Sequence, residues 1–462
     1  MATATAANNK RISMLKVLNP FHIWALGVGI VLVGEFMGWN FTVGKGGAYA
    51  SLIACWVIGL LYTCVAMIDS EVTSTVAAAG GQYTQAKHII GPLMAFNVGL
   101  YLVMAYTMLC AADAWVVGYL MQTGAGVLGF ADLDSKPFAV LTVALLAWLN
   151  YRGVFMTLTI NLVITFLAFM ALVVLFFAVD PMHQGVILQH QGLLTDLPYG
   201  WIGVIASLQF GMWYYLGIEG TCQAAEEVRS AGRAIPLGTL GGMMTLLVAA
   251  TITWFVATGL MPWQYLGQAV TPMYDAATLL GSSQLQLMLF VATAFAAIAS
   301  ANGCINDASR AWFSLARDRY IPVFFGTIHP RYRTPYRSII FLVPIAISFA
   351  VTPLLDQVIT FSILSGLLGY TFMTFNMIKF RKMWPLGSIH RGYIHPFHPL
   401  PAITLLVLCV ATYFATFLGY GGTLLSIMAF YISASIWFVL RRYKFVKRAD
   451  QFTMPWPRPK GY

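Results

Sequence analysis

The stretch VFMTLTINLVITFLAFMALVVLFFA, from Val154 to Ala178, runs for 25 residues without a charge. About 20 apolar residues suffice for a helix to cross the ~30 Å hydrocarbon core of a bilayer. Eleven further apolar runs, bounded by Pro, Gly and charge clusters, share this character. The candidate spans are 21–43, 49–68, 92–121, 137–151, 154–179, 198–222, 236–262, 285–309, 338–354, 358–378, 400–418 and 423–440. Backbone inside lipid must satisfy its own hydrogen bonds, so a spanning chain is helical or a closed barrel. Barrel strands alternate in character over about 10 residues, which these runs do not. The expected fold class is therefore an all-α integral membrane protein with 12 transmembrane helices. Composition agrees, with 59% hydrophobic and 9% charged residues against about 25% charged in soluble domains.

The charge pattern predicts orientation. With the N-terminus inside, the cytoplasmic side receives all of the 26 lysines and arginines except Lys45 and Lys136. The positive-inside rule expects such a split for an even number of spans with both ends cytoplasmic. The net charge of +10 thus sets topology, and no nucleic-acid partner is needed to explain it. Residues 1–20 are polar and basic without a short apolar core, and read as a cytoplasmic tail rather than a signal peptide. Residues 21–180 hold helices one to five, 198–380 helices six to ten, 400–440 the last two, and 441–462 a second cytoplasmic tail. The six cysteines all fall in apolar runs and read as packing thiols.

Two spans are unusual. The first contains Gly27, Gly29, Gly34 and Gly38, with Glu35 between the last two; the sixth contains Gly211, Gly217 and Gly220, with Glu219 beside glycine. Glycine weakens a helix by up to about 1 kcal/mol relative to alanine, so both spans are expected to unwind. Tight helix packing through small residues is the alternative, and is the reading for isolated glycines such as Gly99 and Gly118. Paired Gly-interrupted segments opening two five-helix halves point to a transporter site between inverted repeats. A charge at bilayer depth costs roughly 2.5–3.5 kcal/mol on insertion scales, so Glu35 and Glu219 call for a function.

Several motifs carry a resemblance. They include Gly80-Gly81-Gln82-Tyr83 with Gly91-Pro92, Asn150-Tyr151-Arg152-Gly153, Gly217-Ile218-Glu219, Ala225-Glu226-Glu227 with Arg233-Ala234-Ile235-Pro236, Ser309-Arg310 with Leu315-Ala316-Arg317-Asp318, and Thr334-Pro335. In this order, over residues 22–440, the chain resembles the amino acid–polyamine–organocation transporters. The resemblance implies a 5+5 inverted repeat plus two C-terminal helices, working by alternating access. Gly34-Glu35-Phe36-Met37-Gly38-Trp39-Asn40 is most similar to the ethanolamine permease branch. The wording of Thr107–Asp113 (TMLCAAD) and Ala301-Asn302-Gly303 departs from that branch and leaves the substrate open.

The resemblance also implies a substrate site. It would take Gly34, Glu35 and Phe36 from helix one, and Tyr106, Cys110 and Asp113 from helix three, which their spacing puts on one helical face. Phe210, Trp213, Leu216 and Gly217 would come from helix six and Asn302 from helix eight. Trp213, Glu219 and Asp307 are the expected gating or coupling residues, and Asn306 and Asp307 could pair with Arg310 at an inner gate. Asp113 reads either as a second amine ligand or as a solvated group near the end of its span. At a broken helix, free N–H groups attract an anion. If Glu35 fills that place, a substrate carboxylate is repelled and a small cationic amine such as ethanolamine fits instead. Proton carriage and packing are the other roles open to Glu35. Helix five lacks the lysine that serves proton coupling in some relatives.

The expected function is thus a secondary carrier of a small amine, proton-coupled or exchanging, in a bacterial inner membrane. An amino-acid permease or exchanger is the alternative. All eight histidines lie at span ends or in loops, and no catalytic motif or metal spacing appears inside the membrane. Neither an enzyme, a cofactor nor a metal is expected; the partners are the substrate, the lipid bilayer and a coupling proton.

Overall fold

The computed structural model describes residues 14–130, 133–179 and 197–446. The basic tail up to residue 13 and the segment from 447 onward lie outside the described residues. Among the described residues fifteen α-helices follow one another: α1 Pro20–Met37, α2 Trp39–Gly46, α3 Ala48–Thr75, α4 Gln82–Ile89, α5 Pro92–Val127, α6 Ser135–Arg152, α7 Val154–Ala178 and α8 Gly200–Gly211. Then come α9 Ala231–Leu260, α10 Trp263–Leu266, α11 Pro272–Leu279, α12 Ser283–Arg317, α13 Tyr336–Ala350, α14 Leu355–Met383 and α15 Leu400–Arg441. Local signals set several ends. Asn19 accepts a hydrogen bond from the His22 N–H at 3.1 Å with Pro20 opening α1, and Ser282 caps α12.

Among the described residues, nine helical segments are long and apolar enough to cross a bilayer. The expected spans that lie outside these nine, or are merged within one of them, also fall on helix. The fourth is α6, the ninth is the 15-residue α13, and the eleventh and twelfth are one continuous α15 bent at Tyr420, whose φ of −138° and ψ of 41° leave the helical region.

Packing partners are exchanged between the two halves. α1 packs on α9 while α8 packs on α3; α5 packs on α14 while α12 packs on α7; α5 meets α6 and α13 while α12 meets α13 and α6. The pairs α3–α9 and α5–α12 map onto themselves. Such an exchange follows when five helices are related to the next five by a two-fold axis, and an odd number of spans per half inverts the second half. The most apolar windows of α1 and α5 are 83% buried against 33% for α7 and α15, so the first pair sits at the centre and the second at the lipid-facing rim.

Candidate functional site

The sixth span unwinds as expected. After α8 the chain makes three 3-10 turns, Met212–Tyr214, Ile218–Cys222 and Ala225–Glu227, with Gly217 between the first two at φ +116°. Only glycine takes that conformation without strain. The Gly217 N–H donates to Oε2 of Glu219 at 3.1 Å, so the amide freed by the break is taken by the chain's own carboxylate. The Leu216 carbonyl accepts no backbone N–H among the described residues.

The first span does not unwind at Glu35, which corrects the expectation. α1 is helical through Met37, and the Gly38 N–H closes onto the Gly34 carbonyl at 2.7 Å. Its glycines serve contact instead. A Cβ at Gly34 would stand 2.4 Å from the Trp213 carbonyl oxygen, and one at Gly27 would stand 2.7 Å from Ile218 Cδ1. The missing side chains of α1 make room for the unwound backbone of the sixth span, so the small-residue packing reading holds there.

Glu35 is fully buried. Its Oε2 accepts from Thr253 Oγ1 of α9 at 3.0 Å, while Oε1 has no hydrogen-bond partner. The Trp39 indole N–H donates to the same Thr253 hydroxyl at 3.0 Å, and Trp39 stacks on Tyr214 at 4.3 Å. Phe36 is buried beside it. Asp113 is fully buried rather than solvated, and faces Ser300 of α12 at 2.5 Å. Tyr106 is buried within the electrostatic reach of Glu219 and Asp307. Cys110 faces α6, α12 and α13, lining a narrow cleft with Val143, Cys304 and Leu342.

Trp213 is buried with an unpartnered indole N–H and lies 5.8 Å from Phe41. Phe210 stacks on Phe41 at 4.8 Å under the Lys45 ammonium, 4.6 Å from its ring. Asp307 accepts from Asn306 Nδ2 at 2.8 Å, and its Oδ2 lies 2.0 Å from where a Gly220 Cβ would be. Asn302 is not brought to this centre. Its amide is spent on Asn150 (2.8 Å) and Asn161 (3.2 Å) between α6 and α7. Arg310 pairs in bidentate fashion with Glu227, at 2.7 and 2.9 Å, and not with the Asn306 or Asp307 side chain.

The sequence reading missed Asp69, near the end of α3, which accepts from Gln82 Nε2 at 2.7 Å. An acid within the extended second apolar run was its available signal. It also missed the Glu71 cluster. Glu71 takes Arg381 at 2.6 Å, Arg391 at 3.1 Å and the His395 N–H at 2.9 Å. Asp318 binds Lys87 at 2.7 Å and the Tyr83 hydroxyl at 2.9 Å, and Glu226 binds Arg317 at 2.9 Å. These ion pairs gather on the face where Leu18 and Val228 pair.

Residues 18–456 match the amino acid permease family. This chain belongs to that family. The permease is 68% identical over 461 residues, 100% of this chain and 99% of the relative, to an uncharacterized transporter of Rhizobium meliloti (strain 1021). It is 24% identical to the methylthioribose transporter of Bacillus subtilis (strain 168), over 88% of this chain and 89% of that one. It is 22% identical to a branched-chain amino acid permease of the same organism, over 87% and 88%. The permease is thus a multi-pass membrane transporter.

Proposed function

We propose that the permease is a secondary carrier for a small cationic amine such as ethanolamine, working by alternating access around α1 and the unwound sixth span. Both tails face the cytoplasm of a bacterial inner membrane in this reading, which follows the lysine and arginine distribution. One observation carries it. Five fully buried carboxylates, Glu35, Asp69, Asp113, Glu219 and Asp307, have only neutral hydrogen-bond partners among the described residues. Lys87, Arg310, Arg317, Arg381 and Arg391 are engaged instead by Asp318, Glu227, Glu226 and Glu71. Arg310 reaches Asp307 only through space. A buried carboxylate without a countercharge costs several kcal/mol, which a cationic cargo or protons would offset.

Glu219 on the Gly217 amide further favours a cargo without a carboxylate, because the break already holds an anion. The protein-supplied anion expected of Glu35 at helix one thus belongs to Glu219 at helix six, and Glu35 offers its charge from an intact helix. In this reading Gly34, Glu35, Phe36, Tyr106, Phe210, Trp213, Leu216 and Gly217 surround the amine, with Trp213 as gate and Glu219 and Asp307 in coupling. An amino-acid cargo is the second reading, favoured by the similarity to a branched-chain amino acid permease. The methylthioribose relative is named for a cargo that is not an amino acid.

Thermal unfolding of the detergent-purified protein separates the two. A ligand at 100 times its Kd stabilises by about 2.7 kcal/mol. Ethanolamine and other small primary amines are expected to raise the melting temperature, and Glu35→Gln to abolish the rise. Stabilisation by amino acids alone, undiminished in Glu35→Gln, would overturn the amine reading.

A further inference from the structure

Ser300 of α12 stands between two oxygens. Its Oγ lies 2.5 Å from the main-chain carbonyl oxygen of Ile30 on α1 and 2.5 Å from Oδ2 of Asp113 on α5. A serine hydroxyl has one proton to donate. Given to the Ile30 carbonyl, it leaves the Asp113 contact to be made by a proton on Asp113. Given to Asp113, it leaves two lone pairs opposed at 2.5 Å between Ser300 and Ile30, inside the ordinary O–H···O distance of about 2.7–2.8 Å. Both contacts are hydrogen bonds only when two protons are present, because the hydroxyl supplies one.

We infer that Asp113 is a proton-binding site of the permease, holding its proton on Oδ2 and donating it to Ser300, whose own proton goes to the Ile30 carbonyl. The inference rests on the transporter reading for its role in coupling, though not for the proton itself. The titratable side chains facing Asp113 are the thiols of Cys110 on α5 and Cys304 on α12. Among the described residues, no charged group on α1, α6 or α14 acts on it. Its second oxygen, Oδ1, is buried without a partner.

The arrangement ties the proton to the position of helix one. When the proton leaves Asp113 Oδ2 for water, the carboxylate becomes the stronger acceptor and draws the single Ser300 proton to itself. The Ile30 carbonyl then faces the Ser300 lone pairs, and α1 is pushed from α12 at that point. Ile30 is placed to pass the displacement on. Its Cγ2 would lie 2.2 Å from a Cβ at Gly217, and its Cγ1 2.3 Å from one at Gly303. Helix one, the turn of helix six and helix eight therefore meet on one residue whose carbonyl reads the protonation of Asp113. This also separates Asp113 from the amine ligands, because its oxygen is committed to Ser300.

Infrared spectroscopy of the purified full-length protein in lipid nanodiscs tests the proton without any cargo. At neutral pH the wild type is expected to show a protonated-carboxyl band that shifts in D2O and is deleted by Asp113→Asn. Ser300→Ala, which keeps the acid and removes its acceptor, should move that band to higher frequency. An Asp113→Asn spectrum with protonated-carboxyl absorption unchanged overturns the inference. If that variant does not fold, an unshifted band in Ser300→Ala overturns it. Coupling is read in proteoliposomes as the ratio of radiolabelled ethanolamine or leucine uptake with and without an imposed proton gradient. The ratio should exceed one in the wild type and fall to one in Asp113→Asn; an equal ratio in both refutes the coupling role. Failure to take up either probe counts against the proposed function, while the infrared result still decides the proton.

Discussion

The first and sixth spans occupy equivalent places in the two halves, carry similar glycine-and-acid patterns, and fold differently. α1 keeps its helical hydrogen bonds and uses glycine as empty space against the Trp213 carbonyl. The sixth span leaves its α-helix after Gly211, turns through Gly217 and must fasten the loosened backbone by polar contacts, from Glu219 to the Gly217 N–H and from Glu227 to Arg310. A close contact requires only that one partner unwind. Once the sixth span did so, a wound α1 with glycine at Gly27 and Gly34 became the surface that covers it.

The difference can be broken at its strongest fastener. Arg310→Met would strand the 1%-exposed Glu227 carboxylate, and losing one partner of a buried pair costs about 3–5 kcal/mol. The expected result is the largest fall in melting temperature of any change considered, with protease cutting after the sixth span as a second readout. An unchanged melting temperature would mean that the turns hold themselves.

Glycine substitutions sharpen the contrast. Gly217→Ala meets both a left-handed φ, costing roughly 1–2 kcal/mol, and the Ile30 side chain at 2.2 Å, which adds about 1–3 kcal/mol of overpacking. Gly34→Ala meets only the Trp213 carbonyl at 2.4 Å and should cost the overpacking part alone. Ile30→Ala should therefore rescue part of the Gly217→Ala loss, leaving the backbone strain, and should not rescue Gly34→Ala. Full rescue of Gly217→Ala would show that space, not conformation, selects glycine in both spans.

The smallest effect lies where the two spans meet at the face opposite the Leu18–Val228 pairing. Lys45, just past the bilayer part of the first span, sits between the Phe210 and Tyr420 rings, 4.6 Å from each. Burial pushes its ammonium down from 10.5 to about 8, partly offset by the Asp356 charge. A lysine whose folded pKa is depressed costs stability below that pKa, and the cost fades as pH rises toward the unfolded value. Between pH 8 and 10.5 the wild-type melting temperature should rise relative to Lys45→Met. Parallel curves would mean that the side chain is hydrated like any surface lysine.

Much of the fold was legible because the bilayer constrains sequence locally. All twelve apolar runs landed at least in part on helix, although the sixth is α-helical only to Gly211, α13 is short and the last two runs merge into α15. The break at Gly217 was expected too, from the coincidence of several glycines with an acid at depth. The role of the α1 glycines was not, because the pattern is the same whether glycine bends a backbone or admits a neighbour. Asn302 looked like a ligand by depth, yet its amide is consumed by Asn150 and Asn161, 152 and 141 residues away.

The sequence by itself determined that this is a many-helix membrane transporter of the permease family. Lipid forces every span to satisfy its own backbone, and apolar length is written residue by residue. Only the tertiary structure decided which acids meet bases and which meet neutral donors, and that Ser300 bridges Asp113 and the Ile30 carbonyl across 187 and 270 residues of chain. Hydrogen bonding and charge pairing act over a few ångströms, and that proximity exists only once the two halves have packed.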